Sequence, residues 1–265
     1  MVHVFSESGE FSPAVAQNRS RKMREILSSA LDLACEGGLD NLTLHALAAR
    51  MGRSVAAVYR YYPSKEAVVR ELQRLVATHI RLISADTAGR IDAWSAGQGL
   101  REGARALALL IGAAQTYELF AQDAPAEFGL VTHYLGNARY GLPERDAQAV
   151  FEVAREALGM LAADIAAAQA TGAITPGDAQ ERTLMHWGAL QGVIQLLKFT
   201  RRGGAWGLAE SLPDTTMRAL LAGWGADTAV VGELADAIRT KKLASAERQV
   251  RDLLHETETN ESEAP

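Results

Sequence analysis

The chain of 265 residues holds a single cysteine, Cys35. One thiol cannot build an intrachain disulfide framework, and it fits a reducing compartment, so a cytoplasmic protein is expected. No apolar run approaches the ~20 residues needed to cross a bilayer, which argues against a helical membrane span. The opening residues MVHVFSESGEFSP lack the basic-then-apolar order of a signal peptide. A Gly-rich phosphate loop, a Cys/His cluster at metal-ligand spacing and a G-x-S-x-G elbow are all missing. The six histidines stand singly, and His133 and His186 have no carboxylate at helical spacing that would make a zinc or base pair. We therefore expect no enzyme, no metal and no cofactor.

What is present is an ordinary globular composition, 48% hydrophobic and 22% charged, enough for one or two domains with a sizeable core. The net charge of −5 is unevenly spread. Between Arg19 and Lys65 eight Lys and Arg face four acids, so this span carries +4 and the remainder −9. A basic module on an acidic body suits a nucleic-acid partner.

Where apolar positions recur periodically, the spacing is helical. Residues 1–17 show no periodicity and read as a flexible arm. From Arg19 to Glu36, Met23, Ile26, Leu27, Ala30, Leu31 and Ala34 mark a helix that Gly37-Gly38 stops. Cys35, at its end, reads as a small packing residue. Thr43 is placed to cap a second helix with the stripe Leu44, Leu47, Ala48 and Met51. Gly52 allows a tight turn, because it can take a positive φ. Ser54 can cap a third helix, VAAVYRYY, whose Val58 and Tyr62 face inward. Pro63 ends it, and Ser64 can cap a fresh start at Lys65-Glu66. Two short helices about a glycine turn form a helix-turn-helix, whose second helix can enter the major groove of DNA.

Gly52-Arg53-Ser54 followed by Val58-Tyr59-Arg60-Tyr61-Tyr62-Pro63-Ser64-Lys65-Glu66 resembles the signature G-x-S-x-x-x-[LV]-Y-x-[HY]-[FY]-x-S-K-E of the tetracycline-repressor (TetR) family. The resemblance covers about the first third of the chain. It implies an all-α homodimer: an N-terminal three-helix helix-turn-helix domain, then a helical ligand-binding and dimerisation domain. The corresponding division is an arm at 1–17, a DNA-binding domain at 18–64, an effector-binding and dimerisation domain at 65–225, and an amphipathic helix with an acidic tail at 226–265. Arg53, Val55 and Tyr61 depart from common family choices, which bears on the operator sequence rather than on DNA binding.

The body opens with a helix from Lys65 to about Ser84, carrying Val68, Leu72, Leu75, Val76, His79, Ile80 and Ile83 on one side. Residues 86–99, rich in Gly, Ser and Asp, read as a loop. Further helices are expected over Leu100–Phe120, Glu127–Arg139, Glu144–Ala170, Arg182–Thr200 and Thr215–Trp224. The pair around the turn at Gly172–Asp178 looks like the dimerisation hairpin of TetR-family bodies. Ala162, Ala166 and Ala170, with Gly188 and Gly192, are small residues that permit close helix contact. The tail from Glu233 to Leu254 reads as one amphipathic helix, and ETETNESEAP as disordered.

Two kinds of DNA contact follow. Thr43, Tyr61 and Lys65 occupy the family positions for phosphates. Arg53, Val55, Ala57, Tyr59 and Arg60 lie where the second helix can read base edges, with Ser54 at its start. Tyr59 and Tyr61 would equally serve as packing residues, and Arg60 as a solvated charge. For an effector the body offers His79, Tyr117, Phe128, His133, Tyr134, Trp187 and Gln191, each of which also suits core or interface. The expected function is a repressor that binds a palindromic operator as a homodimer and is released by a small-molecule effector. An activator or ligand-independent regulator, or a helical enzyme or scaffold with a vestigial helix-turn-helix, are the alternatives. The partners expected are double-stranded DNA, a second copy of the chain and the effector, with no membrane.

Overall fold

The computed structural model describes residues 13–136, 144–200, 211–247 and 250–254, with side chains for 14–132, 155–197, 211–247 and 250–254. Among them the protein is all-α, a helix-turn-helix domain followed by a helical C-terminal domain. The helices are α1 (Pro13–Asn41), α2 (Leu44–Arg50), α3 (Val55–Tyr59), α4 (Lys65–Gln98), α5 (Glu102–Asp123), α6 (Pro125–Gly136), α7 (Glu144–Ala170), α8 (Ala179–Thr200), α9 (Leu212–Gly223) and α10 (Thr228–Thr240). No described helix is long and apolar enough to cross a membrane.

Two compact units form. The first holds α1–α3, α4 up to His79, α6, the first turns of α7 and the helical turn 250–254. Its core is the predicted stripe of α1 (Ile26, Leu27, Ala30, Leu31) against Leu44, Leu47 and Ala48 of α2, with Val58, Tyr62, Val68 and Leu72. Gln73 Nε2 donates to the Leu130 carbonyl (3.2 Å), tying α6 to α4. The diglycine does interrupt α1: Gly38 sits at φ 74°, ψ 176°. The helix begins earlier than its apolar stripe, at Pro13, within the stretch expected to be an arm. Cys35 is exposed rather than packed. Desolvation of its sulfur, then the Glu127 carboxylate, push the thiol above its ordinary pKa, which disfavours the reactive thiolate.

The second unit holds α4 from Ile80, α5, the rest of α7, and α8 to α10. The expected loop at 86–99 is instead helix up to Gln98. Small and polar residues obscured a stripe that simply continues: Ile83, Thr87, Ile91 and Ser95 are all buried at four-residue spacing. Two of the four are hydroxyls, and Thr87 answers Thr116 of α5 through a hydrogen bond of 2.7 Å. Gly89 and Gly97 face open space, so they cost helix propensity and nothing else. Gly112 has a packing reason, since a Cβ there would lie 2.1 Å from Ile91 Cδ1.

The helix expected from Glu233 to Leu254 is also corrected. Asp227 caps α10 by accepting from Ala229 N (2.9 Å) and Val230 N (3.2 Å), and the helix ends at Thr240. Lys242 adopts φ 51° there, and the chain leaves without regular secondary structure, with Ala244 and Ser245 buried. Among the described residues beyond it, helical structure resumes at 250–254. The apolar spacing survived across that break, so periodicity alone could not reveal it.

Candidate nucleic-acid interface

The second and third helices are set by their caps. Thr43 Oγ1 accepts from Ala46 N (3.0 Å) and Ser54 Oγ from Ala57 N (3.2 Å), each satisfying an otherwise orphaned donor. Between them Gly52 takes φ 61°, a left-handed conformation that a Cβ would strain. Val58 is fully buried, and this orients α3 so that its other faces stay open. Arg53, Ser54, Ala56, Tyr59 and Arg60 are exposed; Val55, Ala57 and Tyr61 are half-buried. Tyr59 is the outstanding case, a large aromatic left 50% exposed. Ala56 and Ala57 add little bulk, so the α3 backbone can come close to a ligand.

The charged members are less free than the sequence suggested. Lys65 Nζ donates to the Leu39 carbonyl (2.6 Å), so it ties the start of α4 to the end of α1. Arg53 Nη2 lies 3.1 Å from Glu25 Oε2. Burial opposes ionisation of Glu25, yet Lys22, Arg53 and Arg21 together hold its carboxyl below its ordinary pKa. Arg50 forms a two-bond pair with Glu36 (2.8 Å each).

Two residues that sequence reasoning missed belong to this surface. The guanidinium of Arg19 lies 5.8 Å from the centre of the Tyr61 ring, and that of Arg60 lies 6.0 Å from it, so Tyr61 gathers two cations. Arg19 was visible only as part of a charge count. Glu25, 28 positions before its partner Arg53, left no signal in the sequence.

Of the residues offered for an effector, the structure gathers three in the second unit. Tyr117 of α5 donates its hydroxyl to Gln191 Oε1 of α8, and Trp187 of α8 also hydrogen-bonds Tyr117. Burial pushes the Tyr117 phenol well above its ordinary pKa. Gln191 is itself buried, and its Nε2 has no partner among the described residues. Next to Trp187 in the sequence, His186 is buried and donates Nε2–H to the Leu110 carbonyl (3.3 Å). Desolvation lowers its pKa to about 4, so the ring is neutral. His79 and Phe128 are buried in the first unit instead. His133 and Tyr134 stand on α6, but their side chains lie outside the described residues. No group of described His, Cys, Asp and Glu could hold a metal ion.

Residues 26–72, from the middle of α1 into α4, match the profile of the family described as "Bacterial regulatory proteins, tetR family". No curated protein matches the chain. Among solved structures it is similar to the transcriptional regulator FadR from Bacillus subtilis in complex with stearoyl-CoA. That likeness has 15% identity and a TM-score of 0.54 over 75% of this chain and 97% of that one. RolR in complex with resorcinol is similar at 19% identity and TM-score 0.54, over 83% and 95% of the two chains. A TetR-family transcriptional regulator from Mesorhizobium loti gives 19% identity and TM-score 0.54, over 77% and 97%. At these identities the likeness is one of fold.

Proposed function

We propose that this chain, whose N-terminal domain is that of the TetR family of bacterial transcription regulators, is a cytoplasmic, ligand-responsive repressor. It binds a palindromic operator as a homodimer and leaves it when a small molecule binds. The head at 18–64 carries the DNA contacts and the body at 65–225 the dimer contacts and the effector. The observation that carries this reading is α3 itself. It is capped and anchored by one buried valine, and Tyr59 is left half exposed where a base edge would be met. Arg53, Val55, Ala57 and Arg60 share that reading role, Ser54 sets the helix start, and Thr43, Tyr61 and Lys65 face the phosphates.

An open face on the body supports dimerisation. Leu184, Gly188, Gly192 and Leu196 of α8 are all exposed at four-residue spacing, and Met185 beside them is 45% exposed. A Cβ at either glycine would meet nothing in this chain. Ala166 and Ala170 of α7 are exposed as well. Two copies joined here about a two-fold axis present their recognition helices to successive major grooves, about 34–36 Å apart. The effector site is assigned to Tyr117, Trp187 and Gln191, where a buried amide nitrogen awaits an acceptor.

The test is a gel-shift titration with the DNA upstream of the gene, using wild type and Tyr59→Ala. The variant should lose affinity for an inverted repeat there and keep most of its affinity for random duplex. Equal losses on both DNAs would remove Tyr59 as a base reader. No binding of wild type to either DNA would remove the regulator reading.

A further inference from the structure

A groove of about 360 Å³ lies beside the helix-turn-helix, between Arg24, Glu25, Ser28 and Ser29 of α1 and Met51 and Arg53 of the turn. Cations outnumber carboxylates there. Among the described lining residues Glu25 contributes the only carboxylate, and that group is already engaged by Arg21 (3.0 Å), Lys22 (2.9 Å) and Arg53 (3.1 Å). Arg24 adds a further cation, itself buried. The groove therefore suits an acidic partner.

The remaining wall of the groove is Leu254. The turn 250–254 is anchored in this same unit, with Val250 2% and Leu254 3% exposed. Arg251 also pairs with Asp32 of α1. The next residues in the sequence are His255-Glu-Thr-Glu-Thr-Asn-Glu-Ser-Glu-Ala-Pro265, with glutamates at 256, 258, 261 and 263 and no Lys or Arg. The chain thus enters at the groove with its most acidic stretch still to come. An extended residue spans roughly 3.3–3.6 Å, so a few residues suffice to pass from Leu254 to Arg53.

We propose that this groove is the docking site of the acidic segment 255–265, and that the docked segment competes with DNA for Arg53 and the start of the recognition helix. Arg53, placed among the base-edge readers, immediately precedes the cap of α3. On a random duplex its charge is left to the phosphates, so a glutamate held there removes that contact. The C-terminus then acts as a brake on non-specific binding, which depends mainly on charge, more than on operator binding, which adds base contacts. The inference rests on the DNA-binding reading of the head.

Two measurements test it. The first compares affinity for a random-sequence duplex between wild type, a chain ending at Leu254, and the full-length variant Glu256→Gln/Glu258→Gln/Glu261→Gln/Glu263→Gln. Loss of one or two exposed ion pairs should raise affinity about fivefold, and log K should fall with log salt more steeply by about one. Unchanged affinity and slope in the full-length quadruple variant would overturn the competition, whatever the truncated chain does. The second measurement needs no DNA. With Cys35→Ser and Ser262→Cys, a spin label at position 262 should broaden the Met51 methyl signal far more than those of Met160 or Met185. Equal broadening of the three would overturn the docking. Broadening that appears only when labelled and unlabelled chains are mixed would assign the groove to the tail of a second copy and refute the intrachain contact. Failure of every variant to bind duplex, with Met51 still broadened, would instead remove the DNA-binding reading and leave the docking in place.

Discussion

Replacing Leu184 and Leu196 with glutamate tests the dimer face directly. The two side chains are 58% and 48% exposed in the single chain, so about half of each remains for a partner to cover. Burying a whole leucine side chain contributes about 1.5–3 kcal/mol, which leaves about 1 kcal/mol for each half. A two-fold interface uses both residues twice, so four side chains together contribute about 4 kcal/mol, or about a thousandfold in the dissociation constant. The glutamates would add the cost of bringing like charges towards one another, so this is a lower bound. Because the changed atoms are largely solvated, the fold of the monomer should survive, and the thermal transition of the separated chain checks that. Sedimentation equilibrium over a wide protein concentration reads the dissociation constant. The expected result is a monomer where the wild type is a dimer, with affinity for a two-half-site operator reduced alongside. A double variant that dimerises as tightly as wild type would show that the open face of α8 is not the interface, and the reasoning from its exposure would fail.

Other changes test the local physics. Ser54→Ala removes the α3 cap, should cost about 1 kcal/mol in chemical denaturation, and should weaken DNA binding because the reading helix starts less firmly. Gly112→Val forces a branched side chain into the space of Ile91, and overpacking of this kind should destabilise the body by about 2 kcal/mol in a thermal melt. His186 is neutral when folded, with a pKa of about 4, and regains its ordinary value of 6.5 on unfolding. Its unfolded form binds the extra proton, so its contribution to stability is constant above pH 6.5, falls as pH drops from 6.5 to 4, and levels off below. Asp164 opposes it: burial, then the charge of Asp92, raise its pKa to about 6 against the nearby Arg105. That carboxyl adds stability as pH falls from 6 towards 3.8. His186→Gln and Asp164→Asn should therefore change the slope of stability against pH in opposite directions, and equal slopes in urea titrations would refute both assignments.

The sequence by itself determined the helix-turn-helix. Its caps Thr43 and Ser54, its turn at Gly52 and its inward Val58 are local features, each set by a residue and its next few neighbours. The long helices α7 and α8 were legible for the same reason, since an unbroken helical period needs no distant partner to be seen. Tertiary contact decided the rest. Thr87 and Ser95 read as loop residues until Thr116 supplied a buried partner for the first and close packing covered the second. The bond from Lys65 to the Leu39 carbonyl joins residues 26 positions apart, which no local signal announced. Tyr117 and Gln191 lie 74 positions apart, and no spacing rule joins residues that meet only when α5 packs on α8. Charge followed the same division. Its sign along the chain was written in composition, whereas which carboxylate faced Arg53 depended on how α1 crosses the turn.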